Sequence, residues 1–191
     1  MARQCCFDRE EVLERAMGLF WQRGFEATSV ANLVDHLGIN RFSLYNSFGD
    51  KHQLYHLCLR HYQETYSKPR LQPLLEDNAG LKEIETLLMQ MCQEVRPGFG
   101  CFLQSALLER RQLDEKVAAL SDQIFDGLFA ALKHALEGAK AKQQLRPNTD
   151  IDLLTHWLVL QIQGIRALLR AGQPDRVTPA LTQIVTFLRS Q

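Results

Sequence analysis

The stretch Thr28–Lys51 reads TSVANLVDHLGINRFSLYNSFGDK, and it decides how the rest of the chain is interpreted. Thr28 and Ser29 are residues that cap helices, because their hydroxyls accept hydrogen bonds from unpaired backbone N–H groups. The apolar residues that follow recur at helical spacing until Gly38, a residue that commonly ends a helix in the left-handed conformation. A second short helix extends from there to Phe48. Two short helices across a glycine-containing turn predict a helix-turn-helix, whose second helix typically enters the major groove of DNA.

Together with Arg23-Gly24-Phe25 just upstream, this stretch resembles the DNA-binding region of the TetR/AcrR family of bacterial repressors. The resemblance covers roughly residues 8–66 and depends on several spacings at once, from Gly24-Phe25 through Gly38 to Lys51. Gly100-Cys101 and the acidic Glu109 are similar to one subgroup, in which Gly-Cys stands at the start of the sixth helix. Val34 stands where the family usually has Ala. The resemblance implies a DNA-binding transcriptional regulator, a repressor that a small-molecule effector releases from a palindromic operator.

The composition favours an all-α protein of two parts. Hydrophobic residues make up 46% and charged residues 23% of the 191 residues, with only 6 Pro and 11 Gly. These values are ordinary for a globular protein. Periodicity and breakers predict about nine helices: a three-helix helix-turn-helix head, a linking helix, and a helical ligand-binding and dimerisation body. Pro69 and Pro73 interrupt the pattern, so we expect a DNA-binding domain with its linking helix at 1–66 and an effector-binding and dimerisation domain at 67–191. The predicted helices are 8–23, 28–37, 40–47, 50–66, 81–95, 100–110, 114–142, 150–170 and 174–188.

The charge of the chain gives little support to nucleic-acid binding. The net charge is zero, and residues 1–67 hold seven Lys and Arg against eight Asp and Glu. Bulk charge therefore supplies little of the counterion release that usually drives DNA binding. DNA affinity has to come from a few well-placed contacts.

The cysteines and the apolar stretches favour a cytoplasmic location. Five cysteines, at positions 5, 6, 58, 92 and 101, form no CxxC pair, and no signal peptide precedes them. This pattern is typical of a reducing compartment. Leu153–Leu169 is the most apolar long stretch, but four polar residues interrupt it, so we expect no membrane span.

The candidate DNA-binding residues lie in and around the second helix of the motif. Because the N-terminal residues of such a helix face base edges, we expect Asn40, Arg41 and Ser43 to read bases. A bidentate contact from an arginine to guanine contributes about 1–3 kcal/mol of discrimination. By resemblance to the family, Tyr45 and Lys51 contact phosphate. The helix N-terminus at Thr28 and Ser29 also suits an anion, and Asn46 is a further phosphate candidate.

Two aromatic residues in this helix leave alternatives open. Phe42 stands where the family often has Gly, and it either contacts a thymine methyl group or packs inside the protein. Tyr45 either contacts phosphate or is a half-buried core aromatic.

A palindromic operator requires a symmetric dimer, which the last two helices are expected to form as a four-helix bundle with a partner. Their apolar residues serve either this homodimer or the core of the chain itself. Gly164, with Ala167, permits close helix approach. The predicted interface residues are Leu154, Leu158, Gly164, Ile165, Leu169, Leu181, Ile184, Val185 and Leu188.

The body is also expected to hold the pocket of an unidentified small-molecule effector. Each candidate is either a pocket residue or a core residue: Phe99, Cys101, Phe102, Phe125, Phe129, Trp157 and Gln161. Cys101 has a second interpretation, because a thiol at a helix N-terminus has a lowered pKa and reacts with oxidants or electrophiles. The alternative is a small buried hydrophobic residue.

Three other functions are alternatives to the DNA-binding repressor. The first is a redox-sensing regulator acting through Cys101, and the second is a small-molecule-binding helical protein without DNA function. The third is an enzyme with Cys101 as nucleophile, which needs a base such as His134 or His156 near the thiol, and we expect no enzymatic activity. His52 and His56, with Cys58 and His61 nearby, lack a further ligand on the same face, so we expect a solvated helix face, with neither metal nor cofactor.

Overall fold

The computed structural model describes residues 7–93 and 100–191, without the side chains of residues 92 and 93, and within these ranges the chain is all-helical. Nine α-helices of eight residues or more occur in the described ranges, as the sequence predicts. They are α1 (Arg9–Arg23), α2 (Val30–Leu37), α3 (Arg41–Phe48), α4 (Lys51–Tyr62), α5 (Leu81–Gln93), α6 (Phe102–Arg110), α7 (Glu115–Ala141), α8 (Ile151–Arg170) and α9 (Pro174–Ser190).

Local capping chemistry sets the ends of the first four helices. Each begins after a residue whose side chain accepts hydrogen bonds from the first-turn amides, namely Asp8, Ser29, Asn40 and Asp50. Gly38 ends α2 in the left-handed conformation, with φ 66° and ψ 24°, and donates its N–H back to the carbonyls of Val34 and Asp35. The tight turn between α2 and α3 is therefore encoded locally, and the helix-turn-helix prediction is confirmed.

The segment between α4 and α5 differs from the sequence-based expectation. Pro69 and Pro73 were expected to break the helical pattern, but the chain stays helical as far as Leu75. A π-helical turn (Gln63–Ser67), a short α-turn (Lys68–Leu71) and a 3₁₀ turn (Gln72–Leu75) follow one another. Both prolines occupy the first turn of their segments, where the missing N–H has no helical partner in any case.

The chain forms two compact units. The first comprises the described residues up to Tyr66 together with Phe102–Ala119, and thus contains α1–α4, α6 and the start of α7. The sequence-based division placed all of 67–191 in the body, but Phe102–Ala119 packs within the first unit instead. The ring of Phe102 contacts those of Trp21, Tyr55 and Tyr62, with centroid distances of 6.2, 5.8 and 5.7 Å. These aromatic contacts hold α6 in the first unit, a packing preference that helical periodicity does not reveal.

The second unit comprises the described residues of 67–101 together with 120–191. Its core is aliphatic, and it is built from the buried faces of α5, α7, α8 and α9. Arg189 on α9 makes a two-pronged ion pair with Glu85 on α5, at 2.7 and 2.8 Å. No helix in the described ranges is long and apolar enough to cross a membrane.

Candidate nucleic-acid interface

Helix α3 has one buried face and one exposed face. Leu44 and Phe48 are fully buried in the first unit, whereas Arg41, Tyr45 and Asn46 are exposed. Phe42 is 79% exposed, although it is a large apolar side chain. Within this chain Phe42 therefore does not pack, and its ring is available to a partner.

At the start of α3, one polar group caps the helix and the others are exposed to solvent. Asn40 caps the helix, and its side-chain oxygen Oδ1 accepts a hydrogen bond from the Ser43 backbone amide at 2.8 Å. The guanidinium of Arg41 lies 5.8 Å from the centroid of the Tyr45 ring, which is itself 40% exposed. This cation–π contact limits the range of positions that the guanidinium adopts. The side-chain amide group of Asn40 and the whole guanidinium of Arg41 are the exposed donors.

The N-terminus of α2 is built from Ser29 and Asn32, and not from Thr28. Ser29 accepts from the Asn32 amide at 3.1 Å, while Asn32 accepts from the Ser29 amide at 3.0 Å, which completes a capping box. The prediction that Thr28 binds phosphate is wrong, because Thr28 is fully buried and its hydroxyl donates to the Gly24 carbonyl at 2.7 Å. Asn32 was missed because capping boxes usually carry Glu or Gln at this position.

Lys51 begins α4, but its ammonium group has partners inside the first unit. The Nζ atom lies 4.0 Å from the centroid of the Phe25 ring. Burial has the largest effect on the pKa of Lys51 and lowers it. The negative charge of Glu26 raises the pKa and the positive charge of Arg110 lowers it, so the net pKa is lowered. The cation thus sits at the edge of the unit and is partly buried, and any phosphate contact it makes competes with the Phe25 ring.

The turn before α2 is fixed by the end of α6. The Glu109 carboxylate accepts from the amides of Phe25 and Glu26, at 2.9 and 2.8 Å. The guanidinium of Arg110 pairs with Glu26 and lies 4.4 Å from the Phe25 ring. We call Glu109 and Arg110 the α6 anchor. It attaches α6 directly to the segment that leads into the helix-turn-helix.

Two histidines of α4 bind carboxylates, so the expectation of a solvated helix face is wrong for them. His56 Nε2 lies 2.7 Å from Asp114, whose other oxygen caps α7 through the Lys116 and Val117 amides. Burial would raise the pKa of Asp114, but the hydrogen bonds from His56 and from these two amides outweigh it, and the pKa is lowered. His61 pairs with Glu14 at 2.7 Å.

His52 is exposed and lies against the Phe25 ring, 4.8 Å between centroids. Among the described residues, no group of three or more His, Cys, Asp or Glu side chains is arranged to hold a metal ion.

Two arginines of α1 bind backbone carbonyls at the ends of the helix-turn-helix. Arg15 donates to the carbonyls of His36 and Leu37 at the end of α2, the latter at 3.3 Å. Arg9 donates to the Ser47 carbonyl near the end of α3 at 3.4 Å. No sequence pattern indicates these contacts, because they join residues more than 20 positions apart.

In the second unit, most of the predicted dimer residues are core residues instead. Leu154, Leu158, Ile165, Leu169, Leu181, Ile184 and Leu188 are buried within the chain. Val185 is partly buried and Gly164 is exposed.

The exposed apolar residues of α8 are shifted from the predicted set. Leu153 is 67% and Leu160 is 69% exposed, and Trp157 between them contacts the Phe187 ring of α9 at 4.7 Å. Residues 153, 157, 160, 164 and 167 recur at intervals of four and three, which is the spacing of a seam between packed helices. We call these five residues, together with Phe187, the α8–α9 stripe.

The candidate effector residues do not form one group. Phe99 lies outside the described residues. Phe102 is wrong as a pocket residue, because its ring is fully buried in the aromatic core of the first unit. In the second unit, Phe129 contacts the ring of His156 at 4.7 Å, while Phe125, Trp157 and Gln161 are partly buried on α7 and α8. Cys101 is a partly buried thiol immediately before α6, whereas Cys58 is fully buried and burial raises its pKa.

Sequence comparisons relate the chain to known regulators. Residues 12–58 match the model of bacterial regulatory proteins of the tetR family. The chain is 28% identical over 162 residues to the uncharacterised HTH-type transcriptional regulator YezE of Bacillus subtilis, covering 83% of this chain and 84% of YezE. It is 28% identical over 174 residues to the HTH-type transcriptional repressor ComR of Escherichia coli, covering 87% of this chain and 81% of ComR.

Solved structures share the fold along the whole chain. A cysteine mutant of the TetR family transcriptional regulator CifR, complexed with 26bp double-strand operator DNA, superposes with a TM-score of 0.82. The two sequences are 24% identical, and the superposition covers 97% of this chain and 98% of the CifR chain. The reduced form of E. coli NemR superposes with a TM-score of 0.73 at 19% identity, with 94% of each chain covered. The helix-turn-helix and the match over residues 12–58 lead to one conclusion: this part of the chain is a DNA-binding region of the tetR family of bacterial regulatory proteins, in a chain that is similar to transcriptional regulators over most of its length.

Proposed function

We propose that this chain is a DNA-binding transcriptional regulator that reads a palindromic duplex through α3 and acts as a dimeric repressor. The single observation that carries the proposal is the exposed face of α3. An apolar ring that is 79% exposed stands beside an arginine on a short helix whose opposite face is buried. A large exposed apolar residue without a partner in the chain indicates a binding surface.

The chemistry of this face suits the edges of base pairs. The planar fork of the Arg41 guanidinium matches the two acceptors of guanine in the major groove, and the Phe42 ring suits a thymine methyl group. Tyr45 and Asn46 on α3 and the Ser29 hydroxyl at the start of α2 are exposed and suit phosphate oxygens. ComR is a transcriptional repressor by its name, and the CifR structure contains operator DNA, which supports the same role for this chain.

DNA binding is tested by fluorescence anisotropy with duplexes that the full-length protein selects from a random-sequence library. We expect Tyr45→Phe, which removes only the hydroxyl, to weaken binding to selected and to scrambled duplexes by a similar factor. The reason is that phosphate contacts carry no sequence information. Leu108→Ala, in an 81% exposed residue of α6, is the control and leaves binding unchanged. Failure of the parent protein to enrich any duplex contradicts the proposed function.

Dimer formation is assigned to the α8–α9 stripe. Its exposed leucines and its small residues, Gly164 and Ala167, allow two copies of α8 to approach closely. The partner is then a second copy of this chain, and two copies of α3 are presented to the two halves of a palindrome.

An effector in the second unit is expected to act by shifting the protein between two forms. It favours the form that it binds more tightly, by no more than the difference between its two affinities. Phe125, Phe129 and Gln161 are the side chains proposed to line its site, whereas Trp157 belongs to the α8–α9 stripe. An enzymatic role for Cys101 is excluded, because proteins of this family are regulators and not enzymes.

Sensing of an oxidant or electrophile at Cys101 is a second candidate for the effector signal. The observation in its favour is the position of this partly exposed thiol directly before α6, the helix that carries the anchor to the α1–α2 turn. If it is correct, mild peroxide releases DNA from the parent protein but not from Cys101→Ser. Equal release from both proteins excludes it.

A further inference from the structure

The two arginines of α1 that bind helix ends suggest a function beyond stabilising single helices. Arg15 uses both terminal nitrogens of its guanidinium, Nη1 on the Leu37 carbonyl and Nη2 on the His36 carbonyl. Arg9 uses Nε on the Ser47 carbonyl, and its Cζ lies 5.1 Å from the centroid of the Phe48 ring. One helix thus reaches the C-terminal ends of both helices of the motif.

These carbonyls are the natural partners of a cation. The last four carbonyls of a helix have no partner within that helix, and the helix dipole places partial negative charge at this end. An arginine fork spans two such carbonyls at once, which a lysine ammonium does not do in the same geometry.

The turn that joins α2 to α3 is short and centres on Gly38. Gly38 adopts a left-handed conformation, and an added Cβ at this position would meet nothing within 4 Å. Gly38 itself therefore has open space beside it. Burial of Leu44 and Phe48 holds one face of α3, and the contacts at the helix ends add a second constraint on its orientation.

We propose that Arg15, supported by Arg9, is a positioning residue that fixes the orientation of α3 for reading DNA. Its charge is engaged by protein carbonyls, and it does not bind phosphate. This inference rests on the proposed function. It also leaves fewer cations of the first unit for DNA, since Arg9 and Arg15 bind backbone carbonyls.

The experiment compares Arg15→Lys and Arg15→Gln in the full-length protein, with Arg60→Gln as the control. Arg60 is an exposed arginine of α4 outside the proposed interface. Each protein is titrated by anisotropy with the duplex selected by the parent and with a scrambled duplex of the same composition, at several salt concentrations. Arg15→Lys keeps the charge and loses the fork, so it separates geometry from electrostatics even if Arg15→Gln does not fold.

We expect Arg15→Lys to bind the selected duplex about tenfold more weakly than the parent does. Its affinity for the scrambled duplex should change by less than about twofold, and the salt dependence of binding should stay the same. Arg15→Gln is expected to lose more specific affinity, again with an unchanged salt dependence, and Arg60→Gln to match the parent. Two results overturn the proposal. One is unchanged specific affinity in Arg15→Lys. The other is an equal loss on both duplexes in Arg15→Gln, with a salt slope shallower by about 0.9, which identifies a phosphate contact.

If the parent protein selects no duplex, the proposed function fails before this comparison begins. The two failures are therefore distinguishable.

Discussion

Single residues determine how the first unit responds to acid, and Asp114 is the clearest case. Its pKa is lowered in the folded protein. A carboxyl of this kind stabilises the fold at pH values above its unfolded pKa, about 3.9, and this contribution is lost as the pH falls through the lowered pKa. The Asp114 carboxylate accepts hydrogen bonds from the Val117 and Lys116 amides and from His56, and these bonds are lost when the carboxylate is protonated.

We predict that Asp114→Asn lowers the free energy of unfolding by about 1–2 kcal/mol at pH 6, because asparagine still caps α7 but no longer presents a carboxylate to His56. The difference from the parent narrows as the pH falls below about 4. Urea denaturation at pH 6 and pH 3 measures it. Asp150→Asn, at the N-cap of α8, serves as the control and changes little, since Asp150 accepts only from a backbone amide in the described contacts. Equal effects at the two sites would contradict the role of His56.

Gly24 provides a second prediction at this scale. Its φ is +83°, and an added Cβ would lie 2.9 Å from a carboxylate oxygen of Glu109. We expect Gly24→Ala to destabilise the protein by about 1–3 kcal/mol. Gly18→Ala is a matched control inside α1, where a Cβ meets nothing within 4 Å, and it should stabilise by about 0.5–1 kcal/mol. Thermal unfolding measures the change in melting temperature of both variants. If the two changes have the same sign, the α6 anchor leaves room for a side chain at Gly24.

Sequence reasoning succeeded at this scale where the signal was local. Ser29 as a helix cap and Gly38 as the end of α2 were each predicted from one residue and its place in the pattern, and both are confirmed. It failed for Thr28, because its burial and its bond to Gly24 depend on how the turn folds back. For Arg15, nothing in the sequence indicates that a residue of α1 reaches carbonyls more than 20 positions further along.

Among the elements, α6 has the most informative position. The sequence predicted a helix at 100–110, which the structure starts two residues later at Phe102, but the sequence did not indicate that the helix packs with the first unit. Aromatic contacts through Phe102 and the α6 anchor decide that assignment. A movement of α6 would thus alter the turn that leads into α2.

We predict that Glu109→Gln weakens this attachment, since a neutral amide accepts less strongly than a carboxylate and offers one oxygen in place of two. The amides of Phe25 and Glu26 should exchange hydrogen several-fold faster than in the parent, which hydrogen-exchange mass spectrometry measures. Glu115→Gln, an exposed residue in the first turn of α7, is the matched control. Unchanged exchange at the α1–α2 turn would show that Glu109 does not hold it.

Helix α8 shows why periodicity alone does not separate core residues from candidate interface residues. Apolar residues occupy two adjoining stripes on this helix, one through Leu154, Leu158 and Ile165 and the other through Leu153 and Leu160. Both stripes satisfy helical spacing, so the pattern predicts a helix that is apolar over a wide arc. Which stripe faces the core depends on the packing of α5 and α9 against it, and the structure places the first stripe inside.

For the whole molecule, the proposed function uses a dimer to make a weakly charged head sufficient. A single copy offers few cations to DNA, whereas two linked copies bind the second half-site at a high effective concentration. We predict that Leu160→Glu yields a monomer in size-exclusion chromatography with light scattering and binds the selected duplex at least about a hundredfold more weakly.

Leu108→Glu is the control, because it introduces the same charge at a more exposed leucine outside the stripe and should leave the dimer intact. A dimeric Leu160→Glu protein would show that the α8–α9 stripe is not the interface.

The most direct test of DNA reading by α3 is a comparison of the duplexes that the parent protein and Arg41→Ala select from one random-sequence library. We predict that the parent enriches an inverted repeat whose half-sites lie one or more helical turns apart, with a guanine at a fixed position in each half. In Arg41→Ala the same repeat persists, but the preference for that guanine is relaxed by about 1–3 kcal/mol. Identical base preferences in the two proteins, or no inverted repeat from the parent, would contradict the account.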